Sequence, residues 1–419
     1  MFIIAFLVFL NKNNVIYKFQ FGFRRNFSTS LALLDVLDNC YKNIDLHNKI
    51  IEFFFDLQKA FDTVDHEILV SKLNYYGVRG VMLNWIKNYL YNRKQFTVVN
   101  NVSSDIGNIT CGVPQGSVLG PLLFLVYMND INNAVPDNDV KLFADDTNVF
   151  IFGPNFTVIE HKASVCLKNL ESWFCANKLS LNIDKTCYNV FNCNNRTDID
   201  VTLNLVINGQ QLNKVSSCKY LGVFIDEAFS WNMHIDYVYK KIVKFTSLFY
   251  KLRSFVPKDC LSKLYYAFVY PYIHYGVEVY ANCSRSTLDK LIKLNNKLLR
   301  ILLDKNYSTT NIDLYRTFKV LPIPLLHELK LLEIVHKHYY HKHLLPEVFK
   351  DYFLTNNSVH QHHTRNKYNL HLCAVNSGYG QRNFMYRGSK FWNELPSYLK
   401  NVCSASQFKN NVKYYLLWR

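Results

Sequence analysis

Three aspartates and one turn are the groups in this sequence best placed to do chemistry. Asp56 closes the apolar run Lys49-Ile-Ile-Glu-Phe-Phe-Phe, and Asp145 and Asp146 interrupt the apolar stretch Val140 to Phe152. The turn Gly112-Val-Pro-Gln-Gly-Ser117 opens onto the nearly all-apolar segment Pro121 to Ile131. A carboxylate at the end of a buried strand loses hydration, and two adjacent carboxylates repel, so both are costly unless a cation lies between them. Mg²⁺ suits such a place because it takes oxygen ligands at about 2.0–2.1 Å, usually one or two carboxylates together with substrate phosphates. Two such ions roughly 3.5–4 Å apart are the equipment of phosphoryl transfer. Taken alone, an Asp-Asp pair reads first as an exposed hairpin turn.

The elements that must carry these groups follow from periodicity. Leu31, Leu34, Leu37 and Tyr41 recur at helical spacing over 28–43, with Ser28, Thr29 or Ser30 as cap. Lys49 to Asp56 predicts a buried strand leading into a helix over 65–76, which Gly77 stops. Further helices are expected over 81–90, 121–131 and 165–176, and strands over 95–99, 107–111, 185–191 and 220–225. The segment 140–152 predicts a hairpin with Asp145-Asp146 at its tip. From Ile235 onward the pattern turns helical and basic, through Lys240, Lys241, Lys244, Lys251 and Arg253 and then Leu288 to Leu303.

Composition bounds the class. Of 419 residues 49% are hydrophobic and 16% aromatic, with only 14 Gly and 10 Pro and no short period, which excludes disordered and fibrous chains and suggests two or three domains. The apolar run Met1 to Leu10 is too short to span a membrane and follows no basic stretch. It reads as a buried strand, a helix remnant or an accidental new start rather than a targeting signal. The eleven cysteines, from Cys40 to Cys403 and including Cys193, are scattered and never form Cys-x-x-Cys. That favours a reducing compartment, hence an intracellular protein of nucleus or cytoplasm that is not secreted, without a zinc ribbon or disulfide scaffold.

Charge is distributed unevenly. Residues 1–192 hold 17 Lys+Arg against 17 Asp+Glu, so the remainder of the chain holds 31 against 15 and carries the whole net charge of +16. A neutral half followed by a basic half fits a polyanion gripped by the second part, although a solvated basic surface gives the same count. His336, His338, His341 and His343, with His360, His362 and His363, lack cysteine partners at ligand spacing. They read as a polar, partly protonated face in contact with nucleic acid or solvent rather than a metal site.

Six motifs in one order resemble the reverse transcriptases of non-LTR (LINE-type) retrotransposons, most closely the jockey-like group. Phe19-Gln-Phe-Gly-Phe-Arg24 with Ser28-Thr29 is similar to that family's fingers segment, and Phe55-Asp-Leu-Gln-Lys-Ala-Phe-Asp-Thr-Val-Asp-His66 to its first metal motif. Gly112 to Phe124 resembles its nucleotide-site motif and Phe143-Ala-Asp-Asp146 its second metal motif. Leu179-Ser-Leu-Asn-Ile-Asp-Lys-Thr186 and Lys219-Tyr-Leu-Gly222 match the next two.

The resemblance implies an α+β fold: a right-hand polymerase palm with partial fingers, then an all-α thumb and a C-terminal helical region. It implies a reverse transcriptase domain over 1–225, a basic thumb over 226–310 and a tail over 311–419. Asp56 and Asp145 would bind two Mg²⁺ ions (Mn²⁺ being a possible substitute), with Asp146 completing the cluster, so that dNTPs are joined to the 3′-hydroxyl of a DNA primer on an RNA template. Phe61 would sit beneath the incoming sugar and exclude a 2′-hydroxyl, which argues against an RNA-dependent RNA polymerase. Without the motif, Phe61 reads as core packing.

Gln115 and Gly116 would meet the nucleotide. Lys185 would assist the leaving pyrophosphate, though a lone lysine is more often just solvated. Tyr220, Leu221 and Gly222 would form the primer grip, and Arg24, Arg25, Lys240, Lys241 and Lys244 would meet nucleic acid. No membrane partner is expected. Members of this group carry an endonuclease and a longer fingers region before the polymerase, so the sequence reads as an N-terminally truncated copy. The alternative function is a catalytically inactive chain that retains only nucleic-acid binding.

Overall fold

The computed structural model describes residues 2–191, 201–359 and 367–419; Cys193, His360, His362 and His363 lie outside them. Among the described residues no helix is long and apolar enough to cross a membrane, and every cysteine is free. The chain divides into two compact units, each mixing segments from distant parts of the sequence.

The first unit comprises Met1–Ser28, Lys49–Val190 and a segment ending at Val215. Its centre is a five-stranded sheet in the order 213–214, 187–191, 49–55, 146–153 and 139–143. Strand Lys49–Phe55 takes a central place because six of its seven residues are buried; a strand covered on both faces needs such a continuous apolar run. It pairs antiparallel with Asp146–Gly153, which pairs antiparallel with Asp139–Phe143. The helix Phe156–Ala176 packs on this sheet through Ile159, Ala163, Cys166, Leu167, Leu170 and Phe174, spaced to form one helical face. Phe174 reaches Phe55 with ring centroids 5.9 Å apart. The helix is longer than its clearest periodicity because Asn155 caps it, accepting from the Val158 N–H at 2.9 Å.

Other expectations shift in detail. The described part of the apolar run that ends at Leu10 lies in the helix Phe2–Lys12, whose Phe6 and Leu10 are buried in the unit's core. The strand expected over 95–99 is two exposed pairs of residues, Lys94–Gln95 against Gly107–Asn108 and Val98–Val99 against Val102–Ser103. Tyr220–Ile225 is not one strand. It is the tip of a hairpin, Ser217–Tyr220 against Val223–Asp226, because Leu221 and Gly222 both take positive φ.

The second unit comprises Thr29–Asn48 and Ser216–Arg419 with Phe191. Among its described residues, regular structure is helical apart from that hairpin, Phe191 and an isolated bridge. The early helix Thr29–Asp45 anchors late segments through buried acids: Asp38 accepts from the Phe384 N–H at 2.6 Å, and Asp45 from the Asn376 N–H at 3.0 Å and the Ser377 hydroxyl at 2.6 Å. Burial pushes the Asp38 carboxyl up to about 8, against three hydrogen bonds, from Phe384, Tyr352 and Met385, that favour its charged form, with nearby Asp35 adding to the rise.

Candidate active site

The carboxylates are delivered by strand register. Phe55 faces Thr147 across the antiparallel pair, so the next residue outward on each strand, Asp56 and Asp146, emerges at the same end. There the chain from Asp56 to Gln58 lies along 180–186: the Asn182 N–H donates to the Asp56 carbonyl at 2.8 Å, the Gln58 N–H to the Ser180 carbonyl at 2.8 Å, and the Asp56 N–H to the Thr186 hydroxyl at 3.3 Å. This apposition explains why the motif Leu179 to Thr186 accompanies the first aspartate. It also sets Lys185 Nζ 3.8 Å from Asp56 Oδ2, a solvent-exposed pair that contributes little to stability.

The other two carboxylates sit at a hairpin tip. Phe143 pairs with Asp146, leaving Ala144 and Asp145 as a two-residue turn in which Ala144 has φ +58°. Partial burial, with the charges of Asp145 and Asp56, raises the Asp146 carboxyl to about 6. By surface area Asp146 is nonetheless exposed, so more weight belongs to its charged neighbours than to dehydration. Glu52, an acid in the middle of the same central strand, differs: it is fully buried, accepts from the Asn148 amide at 2.7 Å, and burial pushes its carboxyl far upward.

An all-carboxylate donor set with a surplus of negative charge fits a hard divalent cation. Among the described residues, however, no group of three or more His, Cys, Asp or Glu side chains is drawn together closely enough to hold an ion as it stands. The three aspartates are electrostatic neighbours rather than a closed coordination shell.

Beside them the turn before helix Leu119–Met128 is laid on the segment after Asp56. The Gly112 N–H donates to the Val64 carbonyl at 2.7 Å and the Val113 N–H to the Phe61 carbonyl at 2.8 Å. Gly112 has φ +86°, and a Cβ there would stand 2.8 Å from the Asp62 carbonyl oxygen, so only glycine allows this approach. Gln115 Nε2 donates to Asp62 Oδ1 at 2.9 Å. Asp62 was not singled out from sequence, although it lies within the first metal motif. Together with Lys59, Arg93 and Lys94, these two residues line a recess of about 650 Å³. Phe61 stacks on Phe124 of the buried helix at 4.4 Å between centroids, with Phe23 edge-on at 6.2 Å.

Residues 5–225, more than half of the chain, match the family described as reverse transcriptase (RNA-dependent DNA polymerase). The chain belongs to this family. It is 29% identical over 313 residues to the RNA-directed DNA polymerase from mobile element jockey of Drosophila melanogaster, covering 72% of this chain and 34% of that protein. It is 26% identical over 324 residues to the probable RNA-directed DNA polymerase from transposon BS of the same organism, covering 73% and 35%. The chain thus spans about a third of the length of these curated relatives. Among solved structures, a telomerase of Candida albicans covers 97% of this chain and is matched over 55% of its own length, at 12% identity and a TM-score of 0.42.

The remaining site residues of this reverse transcriptase chain are placed as follows. Arg24 is turned inward, donating to the carbonyls of Tyr17 and Gln20 at 3.0 and 3.1 Å and lying over the Phe27 ring at 4.0 Å, whereas Arg25 is exposed. Arg24 therefore staples its own loop. In the second unit, Leu221 (φ +43°) and Gly222 (φ +81°) form the hairpin turn after Tyr220. The Tyr275 hydroxyl donates to the Leu221 carbonyl at 2.6 Å, and its ring covers Gly222. No spacing in the sequence links Tyr275 to this turn. Lys240, Lys241 and Lys244 are exposed on and just after helix Asn232–Ile242.

Two of the histidines, His336 and His338, do not belong to the expected partly protonated face. His336 stacks on Phe408 at 4.1 Å and touches the Val402 carbonyl at 2.7 Å, and His338 touches the carbonyls of Phe349 and Phe353 at 3.1 Å. Burial holds both rings below the ordinary histidine range. They are packing residues of the helix Ile323–Tyr340.

Proposed function

We propose that this chain is the polymerising part of a retrotransposon reverse transcriptase, an RNA-directed DNA polymerase that joins dNTPs to a primer 3′-hydroxyl. The observation that carries the reading is the delivery of Asp56, Asp145 and Asp146 to one end of the central sheet, where their charges interact. Asp56 and Asp145 would hold the divalent ions and Asp146 would complete the cluster. Bound there, two Mg²⁺ would make the primer hydroxyl a better nucleophile and neutralise charge on the phosphates.

The protein's own residues supply selection and position. Phe61, fixed from beneath by Phe124, presents a ring too large to share space with a 2′-hydroxyl, which selects deoxynucleotides. Gln115, with its amide nitrogen committed to Asp62, presents its carbonyl oxygen as an acceptor toward the nucleotide, beside Gly116. Lys185 would offer positive charge or a proton to the pyrophosphate as it leaves. Tyr220, Leu221 and Gly222 would grip the primer end, and Arg25, Lys240, Lys241 and Lys244 would meet backbone phosphates, which requires no base reading. In this reading 1–225 supplies palm and partial fingers, 226–310 a basic thumb and 311–419 a tail.

The test is extension of a DNA primer on an RNA template by the purified chain with Mg²⁺ and dNTPs. Extension that EDTA abolishes is expected. Salt-sensitive binding of the primer–template without any extension would instead assign the chain nucleic-acid binding alone.

A further inference from the structure

The turn that carries Asp145 is built from an unfavourable residue. Ala144 has φ +58°, a conformation that is unfavourable for an ordinary L-residue and persists only where the surroundings impose it. The residue that imposes it lies 124 positions earlier. The amide of Gln20, only 1% exposed, meets both backbone groups of Ala144: Oε1 accepts from the Ala144 N–H at 3.0 Å, and Nε2 donates to the Ala144 carbonyl at 3.3 Å. The same Oε1 accepts from the Gly22 N–H at 2.8 Å.

Two further contacts seat this segment. The Phe21 N–H donates to the Leu142 carbonyl at 2.8 Å and the Leu142 N–H to the Phe19 carbonyl at 3.0 Å, so residues 19–21 lie along the outer edge of strand Asp139–Phe143. At Gly22 an added Cβ would stand 2.3 Å from the Ala144 nitrogen, so any side chain there would push the turn away. The Gln-x-Gly spacing therefore has a physical reason. The glutamine supplies a donor and an acceptor to one peptide turn, and the glycine lets that turn come close. A carboxylate could not donate, and an asparagine is one methylene shorter.

We propose that Gln20 is a positioning residue for the carboxylate hairpin: by holding Ala144 in its left-handed conformation it fixes the turn that delivers Asp145 and Asp146 beside Asp56. This rests on the polymerase reading for its consequence but not for its geometry. Gln20→Met conserves volume while removing every hydrogen bond, and Ala144→Gly removes the backbone penalty that the amide offsets.

The experiment uses the full chain and compares wild type, Gln20→Met and Gln20→Met/Ala144→Gly by primer extension and by amide hydrogen exchange over 143–147, with melting curves confirming folding. Gln20→Met is expected to lower kcat at least about tenfold with KM for primer–template within about threefold, and to speed exchange at 143–147 at least about tenfold. Ala144→Gly is expected to recover a large part of the kcat loss. If Gln20→Met fails to fold, Gln20→Asn, which keeps the amide but retracts it, is read by the same exchange. Unchanged exchange at 143–147 in a folded variant, or a kcat loss that Ala144→Gly leaves untouched, overturns the proposal. If wild type itself extends no primer, the polymerase reading has failed, and the exchange result alone still decides the role of Gln20.

Discussion

Phe55 and Thr147 face each other across an antiparallel strand pair, and this register sends Asp56 and Asp146 out of the sheet at the same end. Residues 90 positions apart in the chain become neighbours whose charges interact, although neither has any reason to be near a like charge in the absence of a cation.

That repulsion has a pH signature. The folded pKa of Asp146, about 6, lies above its ordinary value of 3.8, so the folded chain binds more protons than the unfolded one between those values, and stability falls as pH rises through the window. Asp146→Asn removes that fall. Its melting temperature relative to wild type should be higher at pH 7 than at pH 4. Added Mg²⁺ should likewise stabilise wild type more at pH 7 than at pH 4, and an equal shift at both would count against an ion at these carboxylates.

Phe61 offers a test of sugar selection. Phe61→Val keeps an apolar contact with Phe124 but removes the bulk of the ring, so ribonucleotide incorporation relative to deoxynucleotide should rise at least about tenfold. The lost stacking should cost about 1–3 kcal/mol in a denaturant melt. Unaltered discrimination in a folded variant would return Phe61 to a packing role.

The basic helix region should act through phosphates. Replacing Lys240, Lys241 and Lys244 together by Ala should weaken binding of primer–template of any sequence. It should also reduce the slope of log K against log salt by about 2–3, since each phosphate contact contributes roughly 0.9. An unchanged slope would remove these lysines from the nucleic-acid surface.

The second unit has its own pH dependence. Asp38 has a folded pKa of about 8 against an ordinary 3.8, so the same linkage makes stability fall as pH rises from about 4 to 8. Asp38→Asn should flatten that decline, measured as melting temperature against pH. A decline identical to wild type would place the titration elsewhere.

What could be read from the sequence was whatever is local or carried by composition. The strand before Asp56, the helix over 28–43 and the hairpin around Asp145-Asp146 follow from periodicity and burial, and the basic excess from simple counting. What escaped depends on contacts between distant residues. Nothing in the spacing joins Gln20 to Ala144, Asp62 to Gln115 or Tyr275 to Leu221, because each pair is made by tertiary packing. Tyr220–Ile225 reads as one strand because its residues apart from Gly222 are apolar or aromatic, and the positive φ of Leu221 and Gly222 reveals the corner. His336 and His338 read as polar because composition records a ring nitrogen but not the carbonyl that satisfies it.

The most direct measurement is Mn²⁺ titration of the chain, followed by electron paramagnetic resonance, in wild type, Asp56→Asn and Asp145→Asn with primer–template bound. If the three carboxylates share the ions, each substitution should weaken Mn²⁺ binding at least about tenfold while leaving primer–template affinity intact. Binding to both variants indistinguishable from wild type would contradict the account.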